Sequence, residues 1–579
     1  MAQKIFQGIG ASEGVRIAKA FVYRKPVVDF DREIPAEQAQ DEAKRLNDAV
    51  EAARSDVDRL IEEASGVVGK DEIGVLKGQK SILADPAYLP QIKNLILQKC
   101  FSAEKAVHKV TDQFAALFAS MPNPYMKERA ADVRDAENRL DRFLSGAGGF
   151  DLSDIRSEVI LVAEDLSASD TVRLNRKFVA GFASEIGGRT AHASIFAKSM
   201  GIPAVVGAPG LLQNIKNGDL LILDAGKGIC ILSPDKTTVT EYREKYSQEQ
   251  KQKVLFEKSS RSPAVLVDGG RVIAAANIGS ASDAEFSRKQ GAEAVGLMRT
   301  ETLFLSRSSA PTEEEQFAEY KKAAEAFSGA EPGGVVIRTL DIGGDKPAEY
   351  LHIPKESNPF LGFRAIRLCL SQRELFQTQL RAILRASAFG KISIMFPMIA
   401  GISELQAAKE ILEETKQQLD SKSVAYDKKI KTGIMVEVPS AALMADVLAA
   451  QADFFSIGTN DLTQYTLAAD RGNRQVSYLY DSYDPAVLRL VQMTAQAARK
   501  HGIPVGMCGA MAGEPLAIPL LVGLGLDELS MASGAVPQAK YTLGKLSRRS
   551  CKEFARKALA CSSAGEVRAA AEDFFRHIQ

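Results

Sequence analysis

Two stretches in the C-terminal half of the chain, GIMVEVPS at 433–440 and FFSIGTNDLTQY at 454–465, decide how the fold is read. Each opens on a short apolar run of strand type, passes through acidic or amide residues, and continues into residues that favour helix. Working outward, apolar and often β-branched runs recur at 272–276, 294–298, 335–337, 392–396, 433–436, 454–457, 504–507 and 526–529. They are separated by segments long enough for helices, such as 403–419 and 486–500. About eight β-plus-α units are what a (β/α)8 TIM barrel requires, and the barrel is expected over 265–579.

In that fold the active site gathers at the carboxyl ends of the strands. The residues expected there are Arg299 after the second strand, Arg338, Asp341 and Lys346 after the third, and Glu437 after the fifth. Asn460, Asp461 and Arg471 follow the sixth, and Cys508 follows the seventh. Guanidinium forks match phosphate or carboxylate oxygens two at a time, so the arginines point to a small, multiply anionic ligand such as a phosphorylated acid. Glu437 and Asp461 would repel such a ligand, and a hard divalent cation such as Mg²⁺ between them resolves the conflict. Cys508 reads either as an inert buried thiol or as a proton donor to carbon.

The N-terminal half carries a different signal, GGRTAHASIFAK at 187–198. His192, one of five histidines, follows a Gly-Gly turn where an apolar helix-forming run begins. Helix N-termini offer unpaired N–H groups and a positive dipole end, which suits a phosphoryl group carried on an imidazole. Around it, strand-type runs at 15–23, 159–162, 178–182, 204–206 and 220–223 define an α/β domain, the last run following the hairpin-favouring pair Asn217-Gly218. Between 33 and 147 the pattern is amphipathic helix: 36–64 with apolar residues at three- and four-residue spacing, 73–83, a stripe from Ala106 to Phe118 and another from Val133 to Leu144. A helical bundle therefore interrupts the α/β domain. The charged segment 237–258, free of Pro and Gly, reads as an exposed connecting helix.

The 73 Lys and Arg residues balance 73 Asp and Glu residues, so no global charge argues for nucleic acid. The longest apolar run, 516–526, is far below the ~20 residues of a membrane span, and no signal-peptide pattern opens the chain, so a cytoplasmic protein is expected. The six cysteines show no zinc or disulfide spacing.

Taken in order, GGRTAHASIFAK, GLMRTETLFL, RTLDIGGDK, NPFLGFRAIR (358–367), RAILRASAFG (381–390), MFPMI, MVEVPSA, FFSIGTNDLTQY and GMCGAMAG closely resemble enzyme I of the bacterial phosphoenolpyruvate:sugar phosphotransferase system. The resemblance covers essentially the whole chain. It implies a phosphohistidine swivelling α/β domain (1–33 and 148–233), an inserted helical subdomain that binds the carrier protein HPr (34–147), a linker helix (234–264) and a phosphoenolpyruvate-binding barrel that forms a homodimer (265–579). By the same resemblance His192 is the phosphorylated histidine and Thr171 orients it. Arg299, Arg338, Arg471, Asn460 and Asp461 bind phosphoenolpyruvate, Glu437 and Asp461 hold Mg²⁺, Cys508 protonates the enolate, and Lys346 and Arg364 support the site. Two positions depart from the family pattern, Ala191 where serine is usual and Lys198 where arginine is common. Pyruvate-phosphate-dikinase and phosphoenolpyruvate-synthase relatives share the histidine and barrel motifs, but they need a nucleotide-binding domain, and no GxxxxGK[ST] motif occurs here. A catalytically silent protein that binds phosphoenolpyruvate or an HPr-like partner is the remaining alternative.

Overall fold

The computed structural model describes residues 3–24, 29–64, 70–120, 124–145, 152, 155–166, 170, 174, 177–188, 194, 197, 201–305, 307–344, 348–473 and 475–578. The chain divides into two compact units, Met1–Lys251 and Gln252–Gln579.

In the first unit, strands β1 (Lys4–Gln7), β2 (Ile9–Ser12), β3 (Val15–Tyr23), β4 (Val159–Ala163), β5 (Val179–Ser184), β6 (Ala204–Val206), β7 (Leu220–Asp224) and β8 (Ile229–Leu232) form one mixed sheet. Their spatial order is β1-β8-β7-β3-β4-β5-β6-β2. Strand β4, VILVA, is buried at every position, as a strand covered on both faces requires. It lies parallel to β3 in continuous register from Lys19↔Val159 to Tyr23↔Ala163.

Between those two neighbours the chain forms helices α1 (Ala39–Ala64), α2 (Lys70–Leu83), α3 (Tyr88–Lys99), α4 (Ala103–Ser120) and α5 (Pro124–Leu144). Leu46, Val50, Ala53, Val57 and Leu60 on α1 meet Ile92, Ile96, Val107, Val133 and Leu140 in a core separate from that of the sheet. A helix buries only one stripe, so the bundle closes on itself and leaves β3 and β4 free to pair across the insertion.

Asn217-Gly218 is a turn, with Gly218 at φ 88°, but it does not join two paired strands. The hairpin of this region is β7–β8, which pair antiparallel from Leu221↔Leu232 to Asp224↔Ile229. The Asn217 side chain instead accepts the Val22 N–H at 2.6 Å, so its turn chemistry serves strand β3.

Helix α6 (Lys236–Ser260) carries the division between the units. Tyr242 is its one buried residue, packed with Val15, Ile222 and Ile231, and the rest is largely exposed.

The second unit is a closed barrel of eight parallel strands: β9 (Ile273–Ile278), β10 (Ala294–Met298), β11 (Val335–Arg338), β12 (Ile392–Phe396), β13 (Lys431–Val436), β14 (Phe454–Ile457), β15 (Val505–Met507) and β16 (Glu528–Ala532). β16 pairs with β9 over Glu528↔Ile273 to Ala532↔Asn277 and closes the ring. The last strand starts two residues later than its apolar run. Leu526 belongs to the preceding helix cap, where its N–H donates to Leu521 O after Gly525 has turned to φ 99°.

Candidate active site

At the carboxyl end of the barrel strands lies a cavity of about 860 Å³. Nine of the residues that the sequence points to line it: Arg299, Arg338, Asp341, Arg364, Glu437, Asn460, Asp461, Arg471 and Cys508. His192, Thr171 and Lys346 lie outside the described residues, as do Ala191 and Lys198. Near them, Gly187 takes φ 129°, a conformation that favours glycine, and Ser194, buried and helical, donates from Oγ to Gly188 O at 2.7 Å.

The arginines play two structural parts. Arg338, the last residue of β11, donates to Glu301 and meets Asp341 Oδ2 at 2.8 Å. Arg364 donates to Asp341 Oδ1 at 2.7 Å and stands 4.0 Å from Asp461 Oδ2. Burial alone would lower the pKa of both, but the surrounding carboxylates hold each above its ordinary value: Glu301, Asp341 and Glu437 for Arg338, Asp341 and Asp461 for Arg364. Arg299 and Arg471, by contrast, are exposed at the mouth. Arg299 pairs with no carboxylate among the described residues, and Arg471 reaches only to 3.7 Å of Asp461 Oδ1.

Glu437 follows β13 directly and is 1 % exposed. Its Oε1 accepts the N–H of Met398, a residue in left-handed backbone at φ 56°. Burial, then the negative charges of Asp461 and Asp341, push its carboxyl well above the usual range. Asp461 Oδ1 is buried and accepts no hydrogen bond from the described residues. Two facing carboxylates, one short of a partner and the other disfavoured as an anion, are the donor set a hard divalent cation satisfies. Among the described residues no third His, Cys, Asp or Glu joins them as a ligand cluster, which would leave further positions to water and ligand oxygens.

Cys508 sits at the end of β15, 3 % exposed, in a small apolar cluster with Leu297, Met395 and Met435. Its thiol donates toward Ile457 O at 3.8 Å. Burial pushes the thiol up to about 11, against the pull of Arg338 and Arg299, so it is protonated at neutral pH. Asn460 uses Oδ1 to accept the Ala510 N–H at 3.0 Å, which leaves its amide hydrogens as donors.

Glu301, two residues after Arg299 in GLMRTE, is not among the residues that the sequence points to. Its signal was an acidic residue beside a strand-end arginine. Asn277, at the end of β9, also lines the cavity and was not singled out.

The sequence matches the models of the PEP-utilising enzymes: the PEP-binding domain over residues 253–548, the N-terminal domain over 7–129 and the mobile domain over 155–228. It is 46 % identical to the phosphoenolpyruvate-protein phosphotransferase of Bacillus subtilis (strain 168), over 98 % of this chain and 99 % of that one. It is 47 % identical to the phosphoenolpyruvate-protein phosphotransferase of Priestia megaterium over 97 % of this chain and 98 % of that one, and 44 % identical to that of Staphylococcus aureus over the same shares. The chain belongs to the phosphoenolpyruvate-protein phosphotransferases. All the cavity residues named above fall within the segment that matches the PEP-binding domain of this family.

Proposed function

We propose that the chain takes the phosphoryl group of phosphoenolpyruvate onto His192, releases pyruvate, and passes the group to the histidine of HPr, the first step of sugar uptake by the phosphotransferase system. The observation that carries this reading is one cavity holding four arginines, a facing carboxylate pair and a protonated thiol.

Arg299 and Arg471, exposed at the mouth, bind the phosphate and carboxylate of the substrate, with Asn460 donating beside them. Arg338, held in place by Glu301 and Asp341, binds the substrate from the barrel wall, and Arg364, held by Asp341, supports it. Glu437 and Asp461 would hold Mg²⁺. Bound there, the cation would neutralise charge on the substrate's oxygens and keep both carboxylates ionised.

Histidine's ordinary pKa of about 6.5 leaves a good share of neutral imidazole at neutral pH, and His192 in that form attacks phosphorus as the P–O bond to the enolate breaks. Of the remaining histidines, His108, His352, His501 and His577 all lie outside the cavity lining. The enolate then collapses to the ketone: the S–H bond of Cys508 breaks, a C–H bond forms at C3, and the thiolate regains a proton from solvent. Lys346, Arg364 and Thr171 support these groups.

HPr docks on the inserted helices, and the histidine-bearing domain travels between the two stations. A homodimer through the barrel is supported by the exposed apolar residues Leu443, Met444 and Val447 on its surface. No helix among the described residues is long and apolar enough to cross a membrane, and the cytoplasm is the proposed location. The test is transfer of radioactive phosphoryl from phosphoenolpyruvate through the full chain to purified HPr. Wild type should label both proteins and His192→Ala neither; acid-labile label on His192→Ala would overturn the assignment.

A further inference from the structure

The turn that carries Cys508 is tethered from two sides. On one side Cys508 N and Gly509 N both donate to Ile457 O, at 3.0 and 3.3 Å, and Ala510 N donates to Asn460 Oδ1. Gly509 is pressed so closely there that a Cβ would fall 1.8 Å from Thr459 Oγ1. On the other side Asn277, at the end of β9, donates from Nδ2 to Cys508 O over 2.9 Å. Ser530, wholly buried in β16, donates from Oγ to Asn277 Oδ1 over 2.7 Å and so fixes which way the amide faces.

The N–H and the C=O of Cys508 are therefore both pinned, by strands on opposite sides of the turn. Those two groups set φ and ψ of Cys508, and with them the line along which its Cβ–Sγ bond leaves the backbone. A proton donor that must reach one face of a planar enolate needs that line held, because a displacement of about 1 Å costs on the order of 10²-fold in rate. The Asn277–Ser530 pair spans β9 and β16, the two strands whose pairing closes the barrel, so the anchor comes from the barrel seam and not from the loop itself.

We propose that Asn277, oriented by Ser530, is a positioning residue that aims Cys508 at a single face of the enolate at C3. The inference rests on the reading of Cys508 as the proton donor. In the step it governs, the thiol proton passes to C3, the enolate electron pair forms the new C–H bond, and the thiolate is reprotonated by water.

The test is a single turnover of the full chain in tritiated water, with phosphoenolpyruvate carrying deuterium at one C3 position, followed by analysis of the methyl chirality of the pyruvate. Wild type should give a chiral methyl group. Asn277→Ala and Ser530→Ala should give methyl groups moved toward racemic and pyruvate formed about tenfold more slowly, while the yield of phosphorylated protein stays at the wild-type level. A pair that only closes the barrel would lower the melting temperature and leave chirality untouched, so wild-type chirality in both variants overturns the proposal. Should Asn277→Ala fail to fold, Ser530→Ala, which removes one hydroxyl, decides by the same readout. Cys508→Ala separates the two claims: if its product is as chiral as wild type, the reading of Cys508 as donor is what fails.

Discussion

Arg364 donates to Asp341 over 2.7 Å inside the barrel wall, and the two residues are 3 % and 2 % exposed. The second oxygen of the same carboxylate meets Arg338 at 2.8 Å, so one buried aspartate braces two arginines. Removing one member of a buried ion pair leaves the other uncompensated, at a cost of about 3–5 kcal/mol. Asp341→Asn should therefore lower the urea midpoint of the barrel unit, followed by circular dichroism. An unchanged midpoint would mean that Glu301 alone suffices to neutralise this region.

The thiol of Cys508 should be nearly inert at pH 8. Only the thiolate is alkylated, and with its titration pushed up to about 11 the thiolate share is roughly 200-fold below that of an ordinary cysteine. Iodoacetamide labelling mapped by mass spectrometry should mark the partly exposed Cys100 and Cys561 at pH 8 and reach Cys508 only as the pH approaches 11. Rapid modification of Cys508 at pH 8 would show that the apolar walls do not hold the proton.

Glu437 faces Asp461 and Asp341, and among the described residues Arg338 is the cation that offsets its charge. Glu437→Gln should thus melt no lower than wild type in the absence of ligands, since it removes a disfavoured charge. Wild type should rise in melting temperature with Mg²⁺ and phosphoenolpyruvate together, where a ligand at a hundred times its Kd adds about 2.7 kcal/mol. The variant should lose that response, and a full response in Glu437→Gln would take this residue out of the cation site.

The barrel could be read because each strand is an apolar run followed directly by its functional residue, and 294–298, 392–396 and 454–457 match the observed strands residue for residue. Helix α3 escaped that reading because Pro86 and Pro90 punctuate it. Pro90 occupies the first turn, where its missing N–H is not needed, and the buried residues Tyr88, Ile92 and Ile96 at intervals of four were the signal present. Asn217-Gly218 carried correct turn chemistry with no indication of which strands it serves. What a single sequence could not supply was pairing at a distance: Glu301 with Arg338, Asp341 with Arg364, and Asn277 with Ser530 across 253 positions. Those pairs decide which arginines are held by buried carboxylates and which stand exposed at the cavity mouth.

The inserted bundle should gain stability on acidification through one of its own buried carboxyls. Asp141 on α5 is 5 % exposed, and its Oδ1 accepts no hydrogen bond from the described residues. Burial first, then Glu137 and Glu104, raise its carboxyl to about 8. Arg45 does not relieve it, because that guanidinium is committed to Glu42 and Glu104, and His108 is committed to Glu137 at 2.6 Å. With the folded pKa above the unfolded value of about 3.9, the native state holds this proton more tightly, so the contribution is whole below that value and is lost as pH rises through about 8. Asp141→Asn keeps the shape, stays neutral and can donate to the neighbouring glutamates. Amide hydrogen exchange in α4 and α5 should therefore slow in Asp141→Asn relative to wild type, by much more at pH 8 than at pH 5.5 after correction for intrinsic rates. Equal protection in the two proteins at pH 8, or faster exchange in the variant, would mean that Asp141 is ionised and paired in the native bundle.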